Sequence, residues 1–418
     1  MRKRLAVVGF ALAVASVTLV AQTKVFSPTK PRGAVASQTQ RSEYFPDRFD
    51  WQHRKPEDVG MRSAQIDQAV QAAIAAETRG PKDMVQFLTN SFGKEPFFSL
   101  IGPVKDRGPA SGLITRHGYI VAEWGEPLRA DITNSVTKTF LTTVVGLAWQ
   151  KGLIHDVNDY VRDYMPPHVD LFESEHNRKI KWDHLLRQTS DWQGTLWDRP
   201  DWADRPQPPN GTLEEQKNRK LWEPGTHFKY NDVRVNVMSL AALQVIRRPL
   251  PEVLREEIME QIGASSTWRW YGYENSWVDL DGKKMQSVSG GGHWGGGLFI
   301  SSYDMARFGY LMLRNGRWKD RQIVSDKWIA MARTPGTDNK EYGYANWYLN
   351  LPRDNGGKPL SNAPEGAVRF VGNGSNIIYV DWQNDIVAVF RWIQNDRALD
   401  DVIGKIAASM KTTTTAAQ

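Results

Sequence analysis

Cysteine does not occur in this 418-residue sequence. Disulfide bonds, thiolate metal sites, cysteine nucleophiles and lipid attachment at an N-terminal cysteine are therefore excluded. Histidine is scarce, and its eight residues show neither H-x-H nor H-E-x-x-H spacing, so the sequence gives no support for a metal site. The motif G-x-S-x-G is also missing, which argues against an ordinary α/β-hydrolase.

A strong excess of one charge sign is missing as well. The formal net charge is +6, and Arg2, Lys3 and Arg4 contribute three of these charges, so about +3 remains without them. This weak basicity, together with the lack of a recognisable RNA- or DNA-binding motif, gives no reason to expect a nucleic-acid partner.

Long hydrophobic runs are limited to the N-terminus. Leu5 to Ala21 is an uncharged run of 17 residues behind the basic stretch "MRKR". This pattern predicts a signal peptide at residues 1–21 and hence an exported, periplasmic or extracellular protein. Leu19 is larger than the position three residues before a cleavage site prefers, so a retained membrane anchor is the alternative. A membrane contact is expected only in that case.

The spacing of apolar residues predicts helices and strands downstream of a lead-in. Residues 22–60 lack periodicity and are rich in Pro, Ser, Thr and Arg, as in a linker. A surface helix is predicted from Ser63 to a stop at Gly80, because apolar residues recur there every four positions. "SGLITRHGYIVAEWGE" alternates around a glycine turn and predicts a hairpin. From Thr139 to about Arg248 the pattern is mostly helical.

The last part of the chain returns to strands. "GGGLFIS", "NIIYVDW" and "DIVAVFRW" predict strands, and "SYDMARFGYLMLRNG" predicts a helix capped by Ser302. A final helix is expected near Leu399 to Met410. The order of elements predicts terminal segments packed on one antiparallel sheet, a helical part beside it, and a site in the cleft between them. The expected parts are a sheet domain formed by 61–140 and 290–412, a mainly helical domain at 141–289, and a tail at 413–418.

Candidate catalytic residues come from the pattern S-x-x-K, which occurs at Ser27–Lys30, Ser91–Lys94 and Ser135–Lys138. Only the third opens a long apolar run, "TFLTTVVGLAWQKG". At the start of a helix, residues three apart share a face, which brings Ser135 Oγ and Lys138 Nζ within hydrogen-bonding reach. The serine could then be a nucleophile and a buried lysine its base. Alternatively, Asn134 or Ser135 caps the helix and Lys138 is solvated.

Further motifs follow in a fixed order. They are "SVTKTF", "GLIHDVNDYV", "IKWDHLLRQTSDW", "EPGTHFKYND", "GGGLFISSYDMARFG" and "VGNGSN". Over residues 55 to 410 the sequence resembles the serine hydrolases related to class C β-lactamases, which include D-alanyl-D-alanine carboxypeptidases, β-lactamase-like carboxylesterases and nylon-oligomer hydrolases. The resemblance implies a β-lactamase/transpeptidase-like fold: an α+β domain with three α/β/α layers and an antiparallel sheet, beside a mainly helical domain.

The resemblance also implies roles for individual residues. Ser135 is the expected nucleophile, and Lys138 and Tyr230 are the expected bases of an acyl-enzyme mechanism that needs no cofactor. Backbone N–H groups of Ser135 and Ser375 are expected to bind the oxyanion, and the segment Gly372–Asn373–Gly374 stands at the third family motif. Tyr230 fits the family pattern Y-x-N only loosely, because Asp232 replaces the asparagine.

The same resemblance indicates the substrate. A lysine in the third motif would bind the carboxylate of a β-lactam or a D-Ala terminus, and none stands at Gly372–Asn373–Gly374. Together with Asp232, this favours an ester or a small amide over a lactam. Asp232, His293, Trp294 and Trp192 are candidates for the substrate wall, although His293 and the two tryptophans fit structural packing equally well. The third alternative is a catalytically silent binding protein of this fold. The oligomeric state is not predicted.

Overall fold

A six-stranded antiparallel sheet forms the centre of the part of the chain that the computed structural model describes, residues 43–353 and 359–410. The predicted signal peptide at 1–21, residues 22–42 of the predicted linker, and the whole expected tail at 413–418 lie outside these described residues. Within them, no helix has the length and apolar character needed to cross a membrane.

Helices cover both faces of this sheet, and the region beside it combines helices with short strands and long irregular segments, so it is less helical than predicted. The α-helices are α1 (Ser63–Ala75), α2 (Met84–Phe92), α3 (Thr137–Gln150), α4 (Trp182–Leu186), α5 (Leu213–Lys217), α6 (Asp232–Ile246), α7 (Leu250–Leu254), α8 (Ser302–Leu313), α9 (Asp326–Arg333) and α10 (Asp396–Ser409). Short 3₁₀ or π segments lie at Pro56–Val59, Asn134–Val136, Val161–Tyr164, Asn177–Lys179, Asp201–Ala203 and Arg255–Met259.

The strands form two larger sheets and two short hairpins. They are β1 (Ser111–Arg116), β2 (Tyr119–Trp124), β3 (Asp131–Ile132), β4 (Thr195–Leu196), β5 (Arg199–Pro200), β6 (Arg269–Leu280), β7 (Lys283–Val288), β8 (Gly297–Ile300), β9 (Arg317–Trp318), β10 (Arg321–Gln322), β11 (Trp347–Tyr348), β12 (Val368–Gly372), β13 (Asn376–Asp381) and β14 (Ile386–Arg391). The central sheet has the order β11-β12-β13-β14-β1-β2, and the second has the order β3-β8-β6-β7.

Alternate residues of the central strands face two different hydrophobic layers. In β1, Leu113 packs with residues of α3 and α8, whereas Ile114 packs with residues of α1 and α10. In β14, Val387 and Ala388 divide in the same way. Because successive strand residues point to opposite faces and both faces are covered, these strands are continuous apolar runs. The three layers of the predicted α+β sheet domain are therefore present.

Helix α3 is the core helix on which the site is built. Its residues from Thr137 to Ala148 are all buried, which is the behaviour of a helix enclosed on every side. Gly146 lies against the indole of Trp328, where a β-carbon would clash with the ring. The first turn of α3 consequently lies inside the protein, and a polar residue there must find its partners within the fold.

Several element boundaries differ from the predictions for local reasons. The predicted hairpin, late strands and final helix are present, but helix α8 is capped by Ser301 Oγ, which accepts from the Asp304 N–H at 3.1 Å. Helix α1 begins at Ser63 and ends at Ala75, before the expected stop. The region predicted to be mainly helical also contains the hairpin β6–β7. A register shift between Gly272 and Trp277 interrupts its alternation, which obscures it in the sequence.

Candidate active site

A 3₁₀ turn, Asn134–Val136, connects β3 to α3 and carries Ser135. Asn134 has a φ of 49°, a left-handed conformation that asparagine tolerates better than most residues. Its side-chain Nδ2 donates to the carbonyl of Asn373 at 3.0 Å, and Thr137 Oγ1 donates to the Asn134 carbonyl at 2.6 Å. These bonds fix the turn against both β12 and α3, and they hold Ser135 in the wall of a cavity.

Lys138 lies one helical turn behind the serine. Its Nζ donates to Ser135 Oγ at 2.8 Å and to Asp232 Oδ1 at 2.6 Å. Only 1% of the residue is exposed, so the alternative of a solvated lysine is wrong. Burial lowers the pKa of Lys138, and the Asp232 carboxylate opposes that shift without cancelling it. The amine is therefore easier to deprotonate than a free lysine.

Asp232, the first residue of α6, is more than a wall residue. It lines the cavity, but its carboxylate binds Lys138 and also Arg205, whose Nη1 lies 2.9 Å from Asp232 Oδ2. Burial alone would raise the pKa of Asp232, yet Lys138, Arg205 and His293 hold it well below the usual range. Asp232 is thus a permanent carboxylate, and besides lining the cavity, as predicted for a wall candidate, it pairs with Lys138, which the sequence did not indicate.

Tyr230 reaches the same serine from the loop before α6. Tyr230 and Ser135 both line the cavity, and Lys138 Nζ lies 4.7 Å from the centre of the tyrosine ring. Burial and the nearby Asp232 carboxylate raise the pKa of Tyr230, and the neighbouring Ser135 hydroxyl opposes them. The phenol therefore keeps its proton at neutral pH and can donate it to a leaving group.

The end of β12 closes the site from the other side. A β-carbon on Gly372 would clash with the Thr133 carbonyl and lie 2.8 Å from Ser135 N, so glycine permits this close approach. Gly372 and Asn373 line the cavity. Gly374 faces away, toward Phe87 and Trp392, and Ser375 lies in the turn before β13 with a φ of 52°. Gly372 and Asn373 therefore lie beside Ser135, whereas Ser375 is not among the residues that line the cavity, and the role of its N–H stays a prediction.

The cavity over Ser135 has a volume of about 440 Å³. Its wall includes Tyr230, Trp347 and Tyr348 on one side and His293 on another. A space of this size, partly aromatic and with several polar groups around Ser135, suits a small organic ligand.

The two predicted wall tryptophans do not line this cavity. Trp192 is 2% exposed and donates its indole N–H to the Leu171 carbonyl at 2.7 Å. Trp294 is equally buried, packs on Tyr273, and its carbonyl accepts backbone hydrogen bonds from Ile101 and Gly102. Both are packing residues, which corrects the prediction that they border the substrate. His293 does line the cavity, and its ring stacks on Phe92 with the ring centres 3.8 Å apart.

Three charged residues of the site have no motif in the sequence. Glu95 Oε2 lies 2.7 Å from His293 Nε2, Asp204 accepts from the backbone N–H of Asp232, and Arg205 bridges Asp204 and Asp232. Glu95, Asp204 and His293 are close enough together to share an ion. Because Arg205 already pairs with Asp204 and His293 with Glu95, we interpret the group as an ion-pair network.

Gly291 is predicted to be indispensable for this network. A β-carbon there would overlap Asp232 Oδ1 and Lys138 Nζ, both of which are fixed. We expect Gly291→Ala to separate the ion pair and lower kcat/KM by roughly 10²-fold, as small displacements in an active site do. Gly366→Ala is the matched control, because a β-carbon on Gly366 meets nothing within 4 Å. Equal activities of the two variants in an ester assay would contradict this geometry.

Comparison with known proteins supports the fold. A family model described as Beta-lactamase matches residues 114–402. Among solved structures, "EstCE1, a hydrolase with promiscuous acyltransferase activity" has a TM-score of 0.53 at 15% identity and covers 82% of this chain and 99% of that one. The structure of a family VIII carboxylesterase has a TM-score of 0.52 at 17% identity, and the match covers 84% of this chain and 99% of that one.

A third similar structure is a penicillin-binding protein homologue from Caulobacter crescentus, with a TM-score of 0.51, 12% identity, and 79% and 99% covered. No curated protein matches the sequence. The β-lactamase/transpeptidase-like fold predicted from the ordered motifs is confirmed by the family model and by these structures.

Proposed function

This chain belongs to the Beta-lactamase family of serine hydrolases, and on that premise we propose that it cleaves a carboxylic ester or a small amide through an acyl-enzyme. The observation that carries the proposal is the contact of Ser135 Oγ with both a buried lysine and a tyrosine. A nucleophile bonded to a base that is itself oriented by a third group, here Asp232, is the arrangement expected of an activated serine.

The proposed reaction has two stages. Lys138, in its neutral form, takes the proton of Ser135 while Oγ attacks the carbonyl carbon, and the oxyanion lies at the backbone N–H of Ser135 and of the Gly372–Asn373 segment. Tyr230 gives a proton to the departing alcohol or amine and receives one back from Lys138. Water then attacks the acyl group under the same base and releases the acid and free Ser135.

Two features favour an ester or a small amide over a lactam. The third motif contributes backbone and the Asn373 amide, with no lysine to bind a substrate carboxylate. In addition, Asp232 is committed to Lys138 and Arg205, so it is a poor replacement for an asparagine that would bind a substrate amide. The fold similarity to a carboxylesterase and to a hydrolase with acyltransferase activity is consistent with this choice.

A β-lactam or a D-Ala-terminated peptide is the second candidate. Arg353 and Arg369 line the cavity, and Arg369 lies on β12 three residues before Gly372, so either guanidinium could replace the missing lysine. Against this, Asp396 forms ion pairs with both arginines. A silent binding protein is the weakest candidate, because it has no chemical reason to keep Ser135, Lys138 and Tyr230 in contact.

The substrate proposal is tested by initial rates on 4-nitrophenyl butyrate and on nitrocefin with the same preparation. We expect clear turnover of the ester and a kcat/KM for nitrocefin at least about 10²-fold lower, because a lactam carboxylate lacks its lysine partner and such a contact contributes about 2–3 kcal/mol. Comparable rates would favour the lactam candidate. No turnover of either substrate, together with no labelling by a fluorophosphonate probe, would favour the binding protein.

Export is also part of the proposal and rests on the leader at residues 1–21. The test is N-terminal sequencing of the protein recovered from outside the cytoplasm. If the leader is a cleaved signal peptide, the sequence of this protein should begin after the leader. If the leader is a membrane anchor, the sequence should begin at Met1, or the protein should be missing from this fraction.

A further inference from the structure

An ordered series of opposite charges leads away from the catalytic lysine. Lys138 Nζ binds one oxygen of Asp232 at 2.6 Å. The other oxygen of Asp232 lies 2.9 Å from Arg205 Nη1 and 3.5 Å from His293 Nδ1. A single carboxylate is therefore shared by three groups that can carry a positive charge.

His293 has carboxylates on both sides of its ring. Nε2 lies 2.7 Å from Glu95, and Nδ1 faces Asp232 and, at 3.9 Å, Asp204. The side chain is 1% exposed, so burial opposes its charged form, but Asp204, Asp232 and Glu95 together raise the pKa of His293. A carboxylate facing each nitrogen favours the charged form of the imidazole over that of an isolated histidine.

We propose that His293 is a positioning residue. As an imidazolium held by Glu95, it offsets part of the negative charge of Asp232, so that Asp232 stabilises the Lys138 ammonium less and Lys138 loses its proton more readily. This inference rests on the proposed role of Lys138 as the base. It gives His293 and Glu95 a part in the reaction although neither touches the serine.

The direction of the effect follows from Coulomb interactions in a buried site. Asp232 alone would stabilise the Lys138 ammonium and oppose its deprotonation. Each further cation beside Asp232 reduces this stabilisation of the Lys138 ammonium and also repels the ammonium directly. Loss of the His293 charge therefore raises the pKa of Lys138, and the active neutral form appears only at higher pH. The other charged groups that face Lys138, namely Arg205 and Asp204, are unchanged in such a variant.

The experiment is the pH dependence of kcat/KM for 4-nitrophenyl butyrate between pH 6 and 9.5. We expect His293→Gln to move the acidic limb of the profile up by about one pH unit, with a loss of about tenfold at pH 7 and a recovery to within about twofold of the parent at pH 9.5. Glu95→Gln should move the limb in the same direction by less, because it lowers the pKa of His293 without removing the ring.

Phe92→Leu is the control for packing, because Phe92 stacks on the His293 ring but carries no charge. The acidic limb of the kcat/KM profile of Phe92→Leu should lie at the same pH as in the parent, even if the maximum value of kcat/KM changes. A structural role of His293 would lower kcat/KM by the same factor at every pH, and that result overturns the proposal.

A second measurement separates this proposal from the assignment of the substrate. In Ser135→Ala protein labelled with ¹⁵N-histidine, the His293 ring should show two protonated nitrogens at pH 7.5, and Glu95→Gln should lower the pH at which one proton is lost. A neutral ring at pH 7.5 overturns the inference. If the His293 ring is an imidazolium but the parent protein hydrolyses no ester, the charge state of His293 is confirmed and the proposed substrate is wrong.

Discussion

Alanine in place of Ser135 is expected to lower kcat/KM for 4-nitrophenyl butyrate by about 10⁴-fold or more, because the variant has no atom that can form the acyl-enzyme. The remaining rate should come from the oxyanion-binding N–H groups and from binding alone. The fold should survive, since Ser135 lies half-buried at a cavity wall and the turn is held by Asn134 and Thr137. Initial rates and circular dichroism of the same preparation check both statements.

Ser91→Ala is the matched control for this experiment. Ser91 belongs to another S-x-x-K pattern, but its hydroxyl donates to the Phe87 carbonyl at 3.0 Å at the end of α2 and accepts from Asn373 Nδ2 at 3.1 Å. The control should keep its activity within about tenfold, because the bond that it removes from Asn373 is a single neutral hydrogen bond. A Ser135→Ala protein that retains more than about a tenth of the parent rate would show that another group attacks the substrate.

Methionine in place of Lys138 is expected to produce the second largest loss, about 10³-fold in kcat/KM, because the general base disappears while the volume of the side chain is nearly kept. Asp232 would still pair with Arg205 and face His293, so the buried carboxylate is not left uncompensated. The variant should therefore fold, with a stability change that thermal unfolding can measure.

The pH profile separates loss of the base from loss of structure. Since burial lowers the pKa of Lys138, activity of the parent should rise with pH as the ammonium loses its proton, below the pH at which an ordinary lysine titrates. In Lys138→Met this limb should vanish. Lys151→Met is the control, because Lys151 lies at the other end of α3, half-exposed and paired with Glu257. An unchanged acidic limb in Lys138→Met would contradict the role of Lys138.

The three proposed catalytic residues could be selected from the sequence, because local spacing and ordered motifs carry that information. Ser135 and Lys138 lie three residues apart on one helix start, so helical geometry alone brings them together. Tyr230 needed the surrounding motif, since three other Y-x-N matches exist at Tyr273, Tyr344 and Tyr348. Of these, Tyr273 bonds to Ser289 and Tyr344 to Asp183, both as packing residues.

The charge network could not be predicted in the same way. Asp232 and Lys138 are 94 positions apart, and Glu95 and His293 are 198 apart. No periodicity connects such pairs; only the packing of α6 and the loop after α2 around α3 brings them together. The aspartate was visible as a departure from Y-x-N, but its pairing with lysine depends on which atoms the fold places within reach.

The wall residues show the opposite problem. Trp294 was a candidate because of its flanking glycines and Trp192 because of the tryptophans spaced along "DWQGTLWDRPDW", yet both are buried away from the cavity. Glycine-rich sequence allows close backbone approach, but it does not say which neighbour approaches. At Gly291 the neighbour is the Lys138–Asp232 ion pair, and at Gly372 it is the turn that carries Ser135. These contacts gave the glycine-rich segments a role that composition alone did not reveal.

The central claim is that Ser135 is the nucleophile, and covalent labelling tests it most directly. The protein is treated with a fluorophosphonate, digested, and mapped by tandem mass spectrometry. We expect a single modified serine, Ser135, and no label in the Ser135→Ala variant. A label on Ser91, or one that persists at full extent in Ser135→Ala, would contradict the assignment of Ser135 as the nucleophile.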